Sequence, residues 1–285
     1  EVHNVTLDGE TAYLANGEDG LVILDLSDPA NPVELGGSGL ENVINVQVVG
    51  DLAYVVEQGM LKDNTAEQDR FVVLDISDPA NTQVLGSFTP EGPYLHRALN
   101  NFAVEGETVY LVTSGRLVIV DISDLENPVT LGEFSFNSNI SSPGMCVVDE
   151  IVYIQANQLT IVDASDPTNP VEIGGFDAGW GSDVTVADGT AYLAGWDEGL
   201  TALDVSDPSR PVKLGGYFEL VGDYSQVPQG AATRQIVLDV AVSGNRAYVT
   251  YNFGLDQGTW TQILESGLIA LDISDPADPT RLSVF

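Results

Sequence analysis

The sequence predicts an all-β fold, a six-bladed β-propeller with four antiparallel strands in each blade, and two repeated patterns carry this prediction. The stretch LVILDLSDPANPVELGG at residues 21–37 returns five more times, with small changes, along the 285 residues of the chain. A shorter alternating segment centred on a tyrosine, such as NVTLDGETAYLA at residues 4–15, precedes each copy. Internal repeats with a period of about 40–50 residues are typical of propellers and solenoids.

The spacing of the copies defines the repeated unit. Successive copies start 41 to 68 residues apart, so a unit of about 41 residues carries insertions of different lengths. The first residues of the copies are Leu21, Phe71, Leu117, Leu159, Leu200 and Leu268. Because each blade of a propeller is one copy of such a unit, six copies predict six blades.

Each unit contains four predicted strands. The alternating segment predicts two strands joined by a tight turn at Gly or Asp. The repeated stretch supplies a third strand that is apolar on both faces, as in residues 117–121, which suits a sheet packed between two neighbours. A Ser-Asp-Pro turn and a fourth strand follow. We expect one domain over residues 1–285, with each blade made from one continuous segment. The expected blades span residues 1–40, 41–91, 92–136, 137–177, 178–219 and 220–285.

These repeats resemble the LVIVD-repeat family of β-propellers, whose name is spelled by residues 117–121. The resemblance covers the whole chain. It implies a secreted or cell-surface protein of bacteria or archaea, often with a separate anchor, and it implies no catalytic residues. We therefore expect an extracellular or cell-surface location, with an anchor or further domains outside this segment.

The charge of the chain excludes two classes of partner. Asp and Glu number 43 against nine Lys and Arg, which gives a formal net charge of −34. Such a field repels nucleic acids and anionic membrane surfaces. No apolar run approaches the roughly 20 residues that a membrane-spanning helix needs, so direct membrane insertion is not expected. With the single cysteine Cys146, no disulfide forms within the chain.

A corner with the pattern Asp-x-Ser-Asp-Pro recurs in the units, first at Asp25, Ser27, Asp28 and Pro29. Because the corner recurs along the chain, it answers a structural need that the blades share. Asp and Ser side chains bond the backbone amides of a turn, and proline fixes its φ. A calcium loop is the alternative, but the glycine and the distal glutamate of an EF-hand loop are missing. The turn interpretation is therefore favoured. The aspartates that begin the other corners are Asp75, Asp121, Asp163, Asp204 and Asp272.

The first residue of the innermost strand carries a side-chain oxygen in five of the six units. In a propeller these residues lie at one mouth of the central channel, where they are the best candidates for binding a cation. Calcium is the candidate metal, because it prefers oxygen ligands, and no motif requires a cofactor. The alternative is that these side chains cap strand ends and bond the neighbouring blade. The candidates are Asn4, Asn45, Asn101, Asp183 and Asp239.

The long insertions of the repeat, residues 57–70, 88–101, 217–235 and 251–267, all fall in loops on one predicted face. Scarce aromatic and basic residues gather in loops of the same face, which favours a binding surface for a glycan, peptide or protein partner. The alternative is that these aromatic side chains pack their own loops. The candidate ligand-binding residues are Arg70, His96, Arg97, Trp180, Trp196, Asp197, Tyr224, Arg234 and Trp260.

Catalysis is the less favoured function. The sequence contains no nucleophile elbow, P-loop, zinc-protease motif or zinc-type Cys/His spacing. The nearest approach to chemistry is Tyr94, His96 and Arg97, which offer an acid, a base and a carboxylate clamp. The alternative to a binding or scaffolding module is therefore a propeller-fold lyase or hydrolase that acts on an acidic polysaccharide.

Overall fold

A computed structural model shows six four-stranded antiparallel sheets, each built from strands of one continuous segment. It describes residues 2–59, 61–62, 65–66, 68–90, 99, 101–113, 115–138, 143–196, 198–218, 233–256 and 261–285. Within these residues there is no α-helix, and the regular helical structure is a 3₁₀ turn at Pro79–Asn81. The prediction of a six-bladed β-propeller is confirmed, and every four-stranded sheet lies inside the segment expected for its blade.

Residues 1–135 form one compact unit, which contains the first three blades. A small two-stranded hairpin, β7 with β8, lies within the second blade's insertion. The strands of this unit are β1 Asn4–Asp8, β2 Thr11–Ala15, β3 Leu21–Asp25, β4 Val33–Gly37, β5 Val43–Val49, β6 Leu52–Glu57, β7 Leu61–Lys62, β8 Thr65–Ala66, β9 Arg70–Asp75, β10 Gln83–Phe88, β11 Asn101–Glu105, β12 Thr108–Val112, β13 Arg116–Asp121 and β14 Val129–Ser135.

Residues 136–285 form a second compact unit, which contains the last three blades. Its final blade has the longest strands, because β23, β24 and β25 contain 11, 11 and 12 residues. The strands of this unit are β15 Gly144–Val148, β16 Ile151–Gln155, β17 Leu159–Asp163, β18 Val171–Phe176, β19 Gly181–Ala187, β20 Thr190–Gly195, β21 Gly199–Asp204, β22 Val212–Tyr217, β23 Thr233–Ser243, β24 Arg246–Asp256, β25 Thr261–Asp272 and β26 Thr280–Val284.

The insertion at residues 251–267 differs from the loop that the sequence suggested. Most of it continues β24 and β25 as an extended hairpin, with Tyr251 paired to Gly267 and Leu255 paired to Gln262. Antiparallel pairing satisfies the backbone groups of both segments, and Tyr251 and Phe253 of the hairpin belong to the buried cluster that this blade forms with the fifth.

Third strands such as β13 are buried on both faces, as their sequences predict. In β13, Val118, Ile119 and Val120 are each at most 1% exposed. Apolar residues of neighbouring blades pack together within each unit, for example Ile23 of the first blade with Val72 of the second. Burial of such side chains stabilises the fold by about 1.5–3 kcal/mol each, so packing of blade on blade is a principal source of stability.

The recurrent corner is a hydrogen-bonded turn, which confirms the turn interpretation. In the first blade, Asp25 Oδ1 accepts the N–H of Ser27 at 2.7 Å, and Asp28 Oδ1 accepts the N–H of Ala30 at 3.1 Å. The N–H of Leu26 donates to Glu10 in the turn between β1 and β2, so both turns lie at the same end of the blade. We call this end the corner end.

Fourth strands contain a glycine where the next blade comes close. A methyl group on Gly86 would lie 1.8 Å from the carbonyl oxygen of Leu125 in the following blade. In the second unit, a methyl group on Gly174 would lie 2.2 Å from the carbonyl oxygen of Pro208. A side chain at these positions would therefore push apart the backbones of two blades.

Candidate ligand-binding surface

Loops between second and third strands lie at the same end of the blades as the loops between blades. In the first unit, Gly17 and Val43 exchange two backbone hydrogen bonds of 2.9 and 3.0 Å. In the second unit, the N–H of Trp196 donates to the carbonyl of Trp180 at 2.9 Å. We call this end, opposite to the corners, the loop end.

Two of the predicted binding residues form an aromatic pair at the loop end of the fifth blade. The rings of Trp180 and Trp196 meet edge to face, with centroids 5.7 Å apart and planes at 79°. Trp180 is 50% exposed, whereas Trp196 is partly buried. Aromatic pairs favour this arrangement, and the exposed ring offers a flat apolar face to a ligand.

Phe218 is a further exposed aromatic residue at the loop end of the fifth blade. It follows β22 and is 55% exposed. Its ring lies beside the turn that carries Trp196, since a methyl group on Gly199 would lie 3.1 Å from the ring atom Cδ2. We call Trp180, Trp196 and Phe218 the aromatic surface.

Two buried polar atoms lie next to the aromatic surface without a partner in the part of the chain that the structure describes. One is the indole Nε1 of Trp196, a donor, and the other is Oε1 of Gln155, an acceptor. Gln155 is fully buried, and its Nε2 donates to the carbonyl of Gly179 at 3.0 Å. That bond fixes the orientation of the amide, because a carbonyl oxygen accepts and does not donate. A buried acceptor and a buried donor are therefore left open around residues 179–181.

Arg70 already holds a carboxylate of its own chain. Its Nε donates to Glu57 Oε2 at 2.9 Å, and the terminal amine Nη2 contacts the same oxygen. A carboxylate on a ligand would therefore compete with Glu57 for this guanidinium. As a salt bridge with a 42% exposed arginine, the pair has a modest stabilising effect.

Asp69 is a buried carboxylate that holds two loops at the loop end of the first unit. Its Oδ1 accepts the N–H of Gly59 at 2.9 Å, and its Oδ2 accepts the N–H of Leu99 at 3.0 Å. Asp69 is 0% exposed. The insertions at residues 57–70 and 88–101 are thereby tied to each other.

The candidate metal ligands of the first unit make local and inter-blade hydrogen bonds. Asn4 Oδ1 accepts the N–H of Val46 in the next blade at 3.4 Å, a long bond. Asn101 Oδ1 accepts the N–H of Phe102 at 2.9 Å. Asn45 is the corresponding residue of the second blade and belongs to β5. These contacts agree with the alternative in which such side chains bond neighbouring blades.

In the second unit, Asp183 repeats the inter-blade bond with a carboxylate. Its Oδ2 accepts the N–H of Val240 at 3.0 Å, directly after Asp239. Desolvation and the nearby Asp239 carboxyl raise the pKa of Asp183 well above its usual range. Among the described residues, no three His, Cys, Asp or Glu side chains are grouped to hold a metal ion. Calcium binding at the predicted positions stays a prediction.

Several predicted site residues lie outside the part that the structure describes. Arg234 belongs to β23, but its side chain is outside the described set. The residues concerned in full are Tyr94, His96, Arg97, Asp197, Tyr224 and Trp260. Among the residues that are described, Trp180 and Trp196 come together, whereas Arg70 lies in the other compact unit.

Sequence reasoning missed Gln155, Phe218 and Asp69. Gln155 had a detectable signal, because the equivalent positions of the other second strands carry Ala15, Val112 and similar small or apolar residues. A glutamine that replaces an apolar residue at one copy of a repeat indicates a local need. Phe218 and Asp69 follow or precede strands in non-repeating segments, so recurrence gave no signal for them.

The fold and the recurring corner together define a repeat propeller whose variable residues gather at one end of the blades. The family model described as the LVIVD repeat matches residues 1–37, 42–89, 98–135, 146–178, 178–218, 236–256 and 264–283. The chain therefore belongs to the LVIVD repeat family. The last two matches flank the extended hairpin of the sixth blade, which interrupts that copy. A search of curated proteins finds no match to this sequence.

Solved structures share the fold at low sequence identity. The periplasmic gluconolactonase PpgL of Pseudomonas aeruginosa aligns with a TM-score of 0.69 and 10% identity, over 95% of this chain and 79% of that one. A structure of the mitotic checkpoint complex gives 0.64 and 10%, over 96% and 74%. The computationally designed Ika8 protein gives 0.61 and 10%, over 99% and 83%. At such identities the likeness shows the fold alone.

Proposed function

We propose that this chain is an extracellular or cell-surface binding module, and that a glycan, peptide or protein partner contacts the loop end of its blades. The observation that carries the proposal is the aromatic pair of Trp180 and Trp196. A large side chain that stays 50% exposed on a rigid scaffold serves contact with a partner better than it serves folding.

Rigidity of the fifth blade supports this function. Every residue of β20 is buried, so the turn that carries Trp196 begins from a fixed strand. The backbone bond from Trp196 to the carbonyl of Trp180 fixes the second aromatic residue relative to the first. Binding then orders few additional groups, which lowers its entropic cost.

The proposed location follows from the family and the charge. A net charge of −34 keeps the chain soluble in salt-rich surroundings and disfavours nucleic acids as partners. No helix among the described residues is long and apolar enough to cross a membrane. An anchor or further domains outside this segment would hold the module at a surface.

Catalysis on an acidic polysaccharide is the competing function, and it depends on Tyr94, His96 and Arg97. These residues lie outside the described part of the chain, whereas the aromatic pair that supports binding is described. An assay for cleavage of uronate polymers separates the two, because a binding module leaves the polymers intact.

An array of immobilised glycans and peptides tests the proposed function. Trp180→Ala is expected to abolish binding that the unaltered chain shows, because it removes the exposed ring. Val212→Ala is the matched control: Val212 is 58% exposed and belongs to the same blade, but it begins the fourth strand at the corner end. Equal binding by both variants, or no binding by the unaltered chain, contradicts the proposal.

A further inference from the structure

We infer that the aromatic surface binds a neutral saccharide, whose hydroxyl groups pair with Trp196 Nε1 and Gln155 Oε1. This inference rests on the proposed function and names the class of ligand that the same site takes. The observation behind it is the presence of an unpartnered buried donor and an unpartnered buried acceptor beside a half-exposed tryptophan.

The residues that carry the open donor and acceptor both contact one short segment, residues 179–181. Gln155 contacts it through the bond from Nε2 to the carbonyl of Gly179, and its side chain packs against Gly181. Trp196 contacts it through the backbone bond and the ring contact with Trp180. Native proteins rarely leave buried polar groups unpaired, so two around one segment call for an explanation.

Hydroxyl groups match this combination of open groups. A hydroxyl both donates and accepts, so one sugar ring presents partners for an indole N–H and an amide oxygen at the same time. The flat rings of Trp180 and Phe218 suit the apolar face of a sugar ring. An apolar peptide side chain would instead seek a concave pocket and would leave both polar atoms unpaired.

Charge favours a neutral saccharide over an acidic one. Glu198 lies in the turn that follows Trp196, and its carboxylate is 4.0 Å from Lys213 Nζ. Asp177 and Asp183 flank the segment that carries Trp180. A uronate or a sulfated sugar would meet acidic groups here, in a molecule whose net charge is −34.

Binding requires a local adjustment of the side chains that cover the two open atoms. Both atoms are buried, so a sugar hydroxyl reaches them only when the covering atoms shift. The indole N–H of Trp196 then exchanges an apolar environment for a hydrogen bond. Its proton and nitrogen frequencies report that exchange directly.

The test follows the indole N–H signals of ¹⁵N-labelled protein, of which the chain's three tryptophans give three. The Trp196 signal is assigned from its loss in Trp196→Phe. The probes are neutral hexasaccharides of glucose, mannose and N-acetylglucosamine, a uronate hexasaccharide and the peptides of the array. We expect at least one neutral hexasaccharide to shift the Trp196 signal, and the uronate to leave it unchanged.

Trp196→Phe keeps a six-membered aromatic ring and removes the five-membered ring that carries the open donor. We expect it to weaken binding of the active hexasaccharide about tenfold while its melting temperature is unchanged or higher, because a hydrogen bond to a ligand is lost and a buried unpaired N–H disappears. Gln155→Met provides a second variant of similar length, with the same expected loss of affinity.

Two results overturn the inference and leave the proposed function standing. One is Trp180-dependent binding of array peptides without any neutral hexasaccharide that shifts the Trp196 signal. The other is saccharide binding that Trp196→Phe and Gln155→Met leave at full affinity. Binding that does not depend on Trp180 overturns the proposed function itself.

Discussion

At the residue scale, each corner aspartate is matched to the serine two positions later. In the third blade, the backbone N–H and the hydroxyl of Ser123 hold the pKa of Asp121 below its usual range. The same pair recurs in the second unit, where the hydroxyl and N–H of Ser206 lower the pKa of Asp204. A carboxyl whose pKa is lowered by folding stabilises the fold above its ordinary pKa, and this stabilisation is lost as the pH falls through the folded value.

The pKa of Asp183 is shifted in the opposite direction. Desolvation and Asp239 raise its pKa above the ordinary value of 3.8, so its ionised form opposes folding near neutral pH. As the pH falls through the raised pKa towards 3.8, protonation removes that opposition and stability increases. As the pH falls below about 4 and through the lowered pKa values of the corner aspartates, their stabilisation is lost and stability decreases again.

We predict that Asp183→Asn removes part of the increase in stability between neutral pH and about pH 4. An asparagine oxygen still accepts the N–H of Val240, but it carries no charge. Urea midpoints of both proteins, measured at intervals from neutral pH down to about pH 4, show the effect. The general relief of acidic repulsion is common to both proteins, so identical pH dependences would show that Asp183 has no raised pKa.

At the element scale, a close approach between blades explains why fourth strands carry glycine. The backbone of the next blade's corner occupies the space where a side chain on Gly86 would stand. Strand β10 also shifts register between Val84 and Gly86, which brings the glycine against that corner. A β-bulge of this kind bends a strand and increases its local twist.

We predict that Gly86→Ala destabilises the fold by about 1–3 kcal/mol, the usual cost of forcing an extra methyl group into packed structure. Gly39→Ala is the control, since a methyl group there has no neighbouring atom within 4 Å and the backbone is not in the left-handed region. Urea unfolding gives the free energy of unfolding for both variants. Equal values would show that the contact between Gly86 and Leu125 yields without cost.

Recurrence made most elements predictable, because a residue present in every blade serves a need of every blade. The third strands, the corners and the inter-blade role of Asn4 follow this rule. Gln155 breaks it. In the fourth blade the first strand begins with Gly144, where a methyl group would lie 2.3 Å from Asp183 Cα, and the amide appears on the paired residue Gln155 instead. Such an exchange depends on how closely the backbone of the next blade approaches the first strand. The sequence of a single repeat does not show this distance.

Two further features could not be predicted from the sequence, for physical reasons. The extended hairpin of the sixth blade reads as a loop, because its pairing of Tyr251 with Gly267 depends on register and not on an apolar pattern. The clamp by Asp69 depends on loops that meet only in the folded chain. The sequence predicted that Trp180 and Trp196 lie in loops of one face, but the contact between their rings was not predicted.

At the scale of the whole molecule, structural repetition and functional variation are separated. Corners and glycines repeat with the blades, whereas the aromatic surface occurs at the loop end of the fifth blade. The net charge of the chain is −34, and such a charge disfavours the approach of anionic molecules at low salt.

Hydrogen exchange with and without the strongest ligand from the array tests the central claim most directly. We predict slower exchange in the segments around residues 178–181 and 195–199, which carry Trp180 and Trp196, and unchanged exchange in the corner of the same blade at residues 204–209. Protection of the corner with unchanged exchange at the aromatic surface would contradict the account.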